Sequence, residues 1–480
     1  MNQRYTYTLI FSGDSCDSST TPISRPPSAD ARGPSSHRSR GTRRPTGSES
    51  SSSPLRARTG QEMDSRPRSF AMVTTFYPPQ NFGGDGMYVY RLSNELAKRG
   101  HQVTVIHCAD AFDAMRGQPA GEFANHPNVT VHTLASRFGR VSPLVTYLSG
   151  RPGLKAKDLT RILGRPFDVV HFHNVSLVGG PGVLELGSGV KLYTTHEHWL
   201  VCPMHVLWKN DREPCEQPQC LRCTLAFRRP PQLWRYGGAL DRGTREIDLF
   251  LSPSRFTVRA HRERGFQRPM RHLPLFLPLA EAAPAAPEPG AARPYFLFVG
   301  RLERIKGLAT LIECFRSYDA ADLVVAGDGT QAAELRSLAA DLPHVRFFGR
   351  VEPDRLRNLY AGATGLVVPT AGYETFGMVT LEAFAQRTPV IVRDLGGLPE
   401  TVEDSGGGFT YRTDEELFAA LESLRTDPAL RSRLGERGHA AFEERWSEEP
   451  HLAAYLSAIA DVEAGRITNE EPVRLLEAVR

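Results

Sequence analysis

The chain has 480 residues, enough for two sizeable hydrophobic cores. Its seven cysteines, an odd number in a large chain, favour a reducing compartment over a disulfide framework. The net charge of +4 arises in residues 1–62, which hold nine Arg and five Asp or Glu and leave 49 charges of each sign elsewhere. This balance gives no support to nucleic-acid binding. No apolar run approaches the ~20 residues that span a bilayer, so we expect a cytoplasmic protein, free or at the inner face of the membrane.

Residues 1–66 are rich in Ser, Arg, Pro and Gly and contain few large apolar side chains. Such a segment buries too little surface to offset its ordering entropy, so its composition predicts a disordered tail. One interpretation is a basic tail that contacts anionic lipid or a partner. The other is upstream sequence translated from a wrongly chosen start, with the true start at Met63. The second is favoured because the predicted fold begins directly after Met63.

Residues 67–278 are predicted to form a doubly wound α/β domain. A strand at 69–77 leads into a tight loop at Gly83-Gly84, then into a helix that Asp85 can cap and Gly100 can end. The loop lets a ligand approach backbone N–H groups. Further strands are predicted at 101–107, 167–173 and 190–195, followed by a strand and turn at 249–254 and another short segment at 270–276.

Histidines follow two of these strands. His171 and His173 end one, and His196 and His198 end the next. Polar residues at the carboxyl ends of parallel strands point into the ligand crevice of an open sheet. We therefore predict that His196 is functional. The alternative is that one or two of the four only bond to loop backbone.

Four of the seven cysteines come next, in the spacing C-x12-C-x4-C-x2-C: Cys202, Cys215, Cys220 and Cys223. Zinc prefers tetrahedral sulfur in closed structural sites. The pattern predicts a structural zinc site on an insertion at 202–223, and an iron–sulfur cluster or free thiols remain alternatives.

Residues 225–240 (LAFRRPPQLWRYGGAL) mix arginine with aromatic residues. This mixture is typical of a shallow membrane-surface element. It is equally typical of a solvated loop with a few packed aromatics, so both interpretations stay open.

An Ala- and Pro-rich linker is predicted at 279–293, followed by a second doubly wound domain at 294–445. Strands and helices alternate through it with short connections. The predicted strands are 295–299, 323–326, 345–348, 365–369 and 389–392. C-terminal helices are predicted at 414–424, 428–437, 439–446 and 451–464, with residues 446–480 packing back on the first domain.

The stretch at 370–382 (TAGYETFGMVTLE) joins a buried strand to a helix predicted at 376–386. The first N–H groups of a helix lack intrahelical partners and carry the positive end of its dipole, so this junction predicts an anion site. Glu374 and Glu382 bracket the junction. Glu382 would lie ~9 Å along the axis, at ~1.5 Å per residue, where it suits ribose hydroxyls.

Two basic residues follow the strand at 295–299. Arg301 and Lys306 can reach a diphosphate in the cleft, the first as a planar fork and the second as a point charge. Each alone is typical of a protein surface. Together with the helix N-terminus they predict a three-part anion site.

Several motifs in order resemble retaining glycosyltransferase family 4, which has the GT-B fold. They are YPPQNFGG with RLSNELAKRGHQVTV, TTHEHW, LSPSRF, VGRLERIKG, VVAGDG and PTAGYETFGMVTLEAFAQRTPVIVRDLGGLPE. The resemblance covers roughly residues 69–465. It implies two Rossmann-like α/β domains that face each other across a cleft.

The resemblance also implies roles for individual residues. The expected catalytic set is His196, Glu374, Arg301 and Lys306. The expected donor-binding set is Gly83, Gly84, Arg301, Lys306, Glu374, Thr375, Phe376, Gly377, Met378, Val379 and Glu382. In these sets Arg301 and Lys306 contact the diphosphate, Glu382 holds the ribose, and His196 lies beside the sugar. The cysteine cluster looks like that of a subset of the family.

Two departures from the family pattern stand out. Family members often have a small residue and then Glu after the Gly-Gly pair, where this chain has Asp85-Gly86. The segment HLPLFLP at 272–278 replaces the usual Pro-Asn-Gly turn. The first departure affects expected acceptor contacts and the second affects the domain boundary.

The implied function is transfer of a sugar from a nucleotide-sugar to a hydroxyl of a glycan or lipid-linked acceptor, with retention, in envelope or exported polysaccharide or glycolipid synthesis. The sequence has no Asp-X-Asp pair for a phosphate-bound metal, so no catalytic cofactor is expected. The alternatives are a nucleotide-sugar epimerase or hydrolase and a non-catalytic sugar-nucleotide-binding protein. Peripheral membrane contact is expected and nucleic acid is not. The donor base and sugar, the acceptor, the linkage and the oligomeric state do not follow from sequence.

Overall fold

A computed structural model describes residues 66–119, 121–287 and 293–467. The predicted disordered tail, except for its last residue, lies outside the described residues, as do 288–292 of the predicted linker and 468–480. The described residues from Pro67 to Ile467 belong to one compact unit. Among the described residues, no helix is both long enough and apolar enough to cross a membrane.

The first half of this unit contains a sheet of seven parallel strands. Its strands and a small antiparallel hairpin (β6 and β7) are β1 Ser69–Val73, β2 Gln102–Cys108, β3 Val129–Leu134, β4 Val169–Phe172, β5 Val190–Thr194, β6 Trp208–Lys209, β7 Glu213–Pro214, β8 Leu249–Ser252 and β9 Met270–His272. The strand order is β3-β2-β1-β4-β5-β8-β9. The order reverses between β1 and β4, which places a ligand crevice at their carboxyl ends.

Seven helices accompany this sheet among the described residues. They are α1 Gly84–Lys98, α2 Ala109–Ala114, α3 Val141–Ser149, α4 Ala156–Leu163, α5 Cys220–Ala226, α6 Ala239–Arg245 and α7 Arg255–Glu263. In α1, Val89, Leu92 and Leu96 form the buried stripe that helical spacing predicts. Gly100 follows the helix with φ of 88°, a conformation that suits glycine at a helix end.

The second half contains a sheet of six parallel strands in the order β12-β11-β10-β13-β14-β15. Its elements are β10 Tyr295–Val299, α8 Leu308–Ser317, β11 Asp322–Ala326, α9 Ala332–Leu338, β12 Val345–Gly349, α10 Pro353–Gly362, β13 Gly365–Val368, α11 Met378–Ala385, β14 Val390–Arg393, α12 Leu398–Ser405, β15 Gly408–Tyr411, α13 Asp414–Thr426 and α14 Pro428–Ala441. The two sheets confirm the predicted α/β class with two doubly wound units.

The last helix, α15 (Glu448–Glu463), packs against the first sheet after a π-helical turn at Phe442–Trp446. His451 and Tyr455 on α15 form hydrogen bonds of 3.0 Å with Tyr88 and His171, respectively. One hydrophobic cluster runs from the first sheet through α15 to the second sheet. The two halves therefore share a core.

Several predicted elements differ from those observed. The strand expected at 69–77 ends at Val73, where Thr75 turns away and donates its N–H to Asn174 O at 2.6 Å. The segment at 270–276 has only three residues in a strand, and the helix expected at 439–446 is instead the end of α14 and the π-helical turn. The strands β3 and β15 were not predicted from the sequence.

Candidate active site

The carboxyl-end loops of the two sheets contact each other. Thr375, in the loop after β13, donates its hydroxyl to His196 O, just beyond β5, at 3.0 Å. A Cβ placed on Gly84 would lie 3.8 Å from Met378 Cγ, so the glycine loop before α1 adjoins the start of α11. The structure thus brings predicted residues from both halves of the chain into one cleft.

A carboxylate from the second half also caps a helix of the first half. Glu400 on α12 accepts hydrogen bonds from Arg255 N at 2.8 Å and Phe256 N at 2.6 Å, at the N-terminus of α7. The Arg255 side chain forms a fork of 3.0 Å bonds with Asp404. A negative charge at a helix N-terminus is favourable, so these contacts hold the two halves together beside the cleft. The sequence analysis missed them.

Lys306 and Glu374 form an ion pair within the cleft. Lys306 ends a 3-10 turn, and Gly307 follows with φ of 73°. A Cβ on Gly307 would lie 2.0 Å from Pro369 O, so only glycine lets the two loops approach this closely. Burial tends to raise the pKa of Glu374, but Lys306, Arg301 and the Thr370 hydroxyl outweigh it, and the net pKa is lowered.

The backbone of Glu374 is held from a third loop. Gly397 N donates to Glu374 O at 2.8 Å. A Cβ on Gly396, whose φ is 73°, would lie 2.7 Å from Glu374 O. The loop between β14 and α12 therefore fixes the glutamate in place. Arg301 is exposed beyond the end of β10, and its charge helps to lower the pKa of Glu374.

Helix α11 begins at Met378, two residues later than predicted, because Gly377 caps it with φ of 99°. A Cβ there would lie 2.4 Å from Leu398 Cδ2. Phe376, which the prediction placed at the helix start, is buried in the core. The N–H groups of Met378 and Val379 belong to the first turn, which has no intrahelical partners. The helix N-terminus on which the predicted anion site depends is therefore present, two residues later in the chain than predicted.

Glu382 lies one turn into α11, ~6 Å from Met378 rather than the predicted ~9 Å. Tyr360 donates its hydroxyl to Glu382 Oε2 at 2.8 Å. Burial raises the pKa of Glu382, although nearby Arg91 opposes the shift and Glu281 reinforces it. The Arg91 guanidinium, in turn, donates hydrogen bonds of 2.6 to 3.1 Å to the Glu281 carboxylate. The sequence analysis did not single out Tyr360 or Arg91.

His196 lies on the first-half side of the cleft. Its Nε2 is 3.1 Å from His173 Nδ1, and its Nδ1 is buried without a hydrogen-bond partner among the described residues. Burial lowers the pKa of His196 to about 4, partly opposed by the negative charge of Asp85. Asp85 itself accepts a hydrogen bond of 3.2 Å from Asn174. The imidazole is thus neutral, with one nitrogen that no described residue occupies.

The other three histidines are buried. His171 bonds to Thr194 Oγ1 at 2.8 Å and to Tyr455 on α15. His198 is buried, with its ring 5.5 Å from that of His261. Of the four histidines that end β4 and β5, His196 contacts the loop after β13 directly.

The predicted tetrathiolate zinc site is not supported. Within the described ranges, no three His, Cys, Asp or Glu side chains are grouped closely enough to hold a metal ion. Cys202 is buried, which raises its pKa to about 11, and the Cys223 thiol donates to Trp208 O at 3.8 Å. Cys215 and Cys220 are partly exposed free thiols. The local turns direct these side chains to different neighbours, which spacing alone does not reveal.

The cysteine segment instead packs against the loops of the second half. Trp208, Leu207 and Cys202 belong to a hydrophobic cluster that also includes Ile305, Ala371 and Tyr373. Ile305 lies next to Lys306, and Tyr373 lies next to Glu374. The segment therefore supports the Lys306–Glu374 pair from the first-half side.

Two parallel α/β sheets whose carboxyl-end loops meet beside a helix N-terminus have the architecture of GT-B glycosyltransferases. Solved structures share it. Sucrose-phosphate synthase from Thermosynechococcus elongatus aligns with a TM-score of 0.62 at 21% identity, covering 83% of this chain and 100% of that one. Anabaena Alr3699/HepE in complex with UDP-glucose aligns with a TM-score of 0.57 at 17% identity, covering 83% and 100%. At these identities the likeness establishes the fold alone.

Sequence comparison identifies the family. A family model described as Glycosyltransferase Family 4 matches residues 82–281, and one described as Glycosyl transferases group 1 matches residues 281–441. A glycogen synthase from Mycobacterium tuberculosis is 31% identical over 397 residues, 75% of this chain and 87% of that protein. A D-inositol 3-phosphate glycosyltransferase from Nocardia farcinica is 28% identical over 462 residues, 85% and 95% of the two chains. The chain therefore belongs to glycosyltransferase family 4.

Proposed function

We propose that the enzyme transfers a sugar from a nucleotide-sugar to an acceptor hydroxyl with retention of anomeric configuration. The observation that carries this proposal is the ion pair of Lys306 and Glu374 beside the start of α11. The adjoining Thr375 contacts His196, and Met378 adjoins Gly84. Basic groups on one side and a neutral imidazole on the other suit a donor held by its diphosphate with its sugar between the halves.

The departing diphosphate needs stabilisation as its negative charge grows. Lys306, Arg301 and the first N–H groups of α11 supply fixed positive charge and dipoles where that charge develops. Glu374 stays ionised because its pKa is lowered. It holds Lys306 in position and can accept a hydrogen bond from a hydroxyl of the transferred sugar.

Glu382 suits the ribose. An ionised carboxylate one turn into α11 can accept hydrogen bonds from two adjacent hydroxyls, while Tyr360 fixes one of its oxygens. The raised pKa of Glu382 reflects burial that a bound ribose would compensate with hydrogen bonds.

Retention without a carboxylate nucleophile requires attack from the face that the diphosphate leaves. The acceptor oxygen forms a bond to the anomeric carbon, the bond from that carbon to the phosphate oxygen breaks, and the leaving phosphate takes the acceptor proton. His196, neutral and with an unoccupied ring nitrogen, orients a sugar hydroxyl during this step. The cationic side chains take the charge-neutralising role in this scheme.

The acceptor is proposed to be a glycan or lipid-linked polyol used for envelope or exported polysaccharide or glycolipid. Support for an envelope glycolipid comes from relatives named as a phosphatidylinositol monomannoside mannosyltransferase of Corynebacterium glutamicum and a lipopolysaccharide core glycosyltransferase of Rhizobium meliloti. The relative named as a glycogen synthase supports a glycan acceptor.

The test begins with a panel of nucleotide-sugars in a thermal-shift screen, followed by lipid and glycan extracts with the donor that stabilises the protein. The anomeric configuration of the product is then read by NMR. A retained configuration that depends on acceptor supports the proposal. Acceptor-independent release or isomerisation of the sugar would favour an epimerase or hydrolase, and an inverted product would refute retention.

A further inference from the structure

A separate pocket lies in the first half of the chain, among the cysteine segment, α6 and the end of α7. It encloses about 660 Å³. Its charged lining residues are four arginines and one aspartate: Arg235, Asp241, Arg245, Arg264 and Arg268. None of the donor-site residues lines it. A pocket with a net charge of +3 attracts an anion.

Arg235 is the central basic group of this pocket. Its Nε donates to Gln232 Oε1 at 2.5 Å and one terminal nitrogen donates to Trp199 O at 2.8 Å. Its guanidinium lies 4.8 Å from the Trp234 ring and 5.3 Å from the Trp199 ring. No carboxylate of the described residues pairs with it, and burial lowers its pKa to about 10. A partly buried arginine without an acidic partner retains donors for a ligand.

The remaining arginines are only partly neutralised. Asp241 pairs with both Arg245 at 2.6 Å and Arg268 at 2.5 Å, so one carboxylate faces two guanidinium groups. Arg264 donates to backbone oxygens of Ala260 and Cys215, which fixes it beside the pocket. These arrangements leave more guanidinium donors than carboxylate acceptors, the pattern that binds phosphate.

The rim of the pocket is apolar and exposed. Eight of the nine exposed large apolar side chains in the described ranges lie between Phe138 and Tyr236. Leu221 and Tyr236 line the pocket mouth, and Leu233 and Tyr236 are each 71% exposed. Trp234 Nε1 donates to Tyr147 O at 2.8 Å, which holds this rim against α3 and its exposed apolar side chains. The binding of a free phosphate would not require an exposed apolar surface.

We propose that this pocket binds the phosphate of an anionic lipid headgroup, while the apolar rim contacts the acyl region of the same membrane. A phosphate is matched by the arginine forks, and shallow burial of leucine and tyrosine beside basic residues is typical of membrane-surface contact. The balanced charge of residues 63–480 argues against an extended polyanion. The lipid need not be the sugar acceptor, so this site adds to the proposed transferase reaction.

The test is sedimentation with vesicles of phosphatidylcholine alone or mixed with phosphatidylglycerol. Inorganic diphosphate is titrated separately by calorimetry in a Lys306→Ala background, because the proposed donor site also binds diphosphate. We expect the full chain to bind the mixed vesicles. Arg235→Gln should weaken that binding by about tenfold, the effect of losing a charge-assisted hydrogen bond. Because Arg235→Gln could disturb the packing of two tryptophans, Arg245→Gln serves as a second variant with an exposed side chain. It should weaken binding by about fivefold.

Controls separate the two parts of the proposal. Leu233→Ser should reduce vesicle binding and leave diphosphate binding unchanged. Arg161→Gln removes an exposed arginine on α4, outside the pocket, and should have no effect. Donor-induced thermal stabilisation should persist in all four variants, so failure here is distinguishable from failure of the transferase proposal.

Equal vesicle binding by the parent protein, Arg235→Gln and Arg245→Gln would overturn the proposal, as would an equal loss in Arg161→Gln. Diphosphate binding that depends on Arg235, without any preference for anionic vesicles, would leave an anion site but refute the lipid. Binding of both vesicle types alike would refute the role of the arginines.

Discussion

The second-half side of the cleft is built from short loops, whereas the first-half side is assembled from distant segments. Lys306 and Glu374 lie a few residues beyond β10 and β13, and glycine contacts fix both loops. The His196 ring, by contrast, is hydrogen-bonded to the His173 ring, and the His196 backbone oxygen accepts a hydrogen bond from Thr375, 179 residues away. A diphosphate requires only a few charges near one helix end, so local motifs suffice. An acceptor requires a shaped surface, which local motifs do not provide.

The largest expected effect tests the second-half side. Lys306→Ala should lower kcat/KM by roughly 10²–10³-fold, because it removes a fixed charge from the departing diphosphate. Steady-state kinetics with the identified donor and acceptor measure it. Lys98→Ala, at an exposed position on α1, is the matched control and should behave like the parent protein. Near-parental rates for Lys306→Ala would show that this side does not stabilise the leaving group.

The first-half side is tested next. His196→Asn should lower kcat by roughly 10–100-fold, since it displaces a hydrogen-bonding nitrogen beside the sugar. His132→Asn, on the edge strand β3, is the control. Because the pKa of His196 is about 4, its imidazole stays neutral from about pH 8 to about pH 5. The parent pH–rate profile should therefore show no inflection near pH 6.5 that is due to His196. An inflection there that is lost in His196→Asn would contradict the neutral imidazole.

Glu382 allows function and stability to be separated. Glu382→Gln should raise the donor KM by roughly tenfold, because a charge-assisted hydrogen bond to the ribose is lost. Donor affinity of the parent should fall with decreasing pH, beginning above the pH at which an ordinary glutamate is protonated, since the pKa of Glu382 is raised. Kinetics across pH measure both effects. Glu334→Gln, on α9, is the control.

The same raised pKa sets the sign of the stability effect. A carboxyl whose folded-state pKa exceeds its unfolded value binds protons more tightly when folded. Its ionisation therefore costs no stability below the unfolded pKa, and the cost is fully present above the folded pKa. Without donor, Glu382→Gln should have a melting temperature at neutral pH equal to or above that of the parent, with the difference vanishing in acid. A lower melting temperature at neutral pH would contradict this assignment.

The smallest expected effect lies where the two sides meet. Thr375→Val removes the hydroxyl that donates to His196 O. It should lower kcat/KM by about fivefold, which corresponds to the free-energy contribution of one neutral hydrogen bond. Thr375→Ser retains the donor and should remain close to the parent. Equal losses in both variants would point to the methyl group instead of the hydrogen bond.

The elements of both sheets were largely predictable because strands and helices follow local hydrophobic periodicity. The positions of Lys306 after β10 and of Gly83 before α1 follow from short glycine loops. The start of α11 was predicted two residues early, because the left-handed Gly377 and the buried Phe376 are set by contact with Leu398 and the core. Sequence spacing alone does not predict that contact.

The contacts that complete the cleft could not be predicted. Glu400 meets α7 across 145 residues, and Tyr360 meets Glu382 from a different helix. The cysteine spacing suggested a metal site, yet the folded segment directs its side chains into packing against Ile305 and Tyr373. Pairing between distant segments depends on how whole sheets pack.

The sequence by itself determined the α/β class and placed Arg301, Lys306, Glu374 and Glu382 on the loops and helix that we propose hold a nucleotide diphosphate. These properties depend on residue order over a few turns of chain. Only the tertiary structure decided that His196 and Gly84 adjoin Thr375 and Met378, that Glu400 joins the halves and that four arginines share a second pocket. Such relations arise from the packing of surfaces distant in sequence, where burial and charge pairing, not local propensity, select the neighbours.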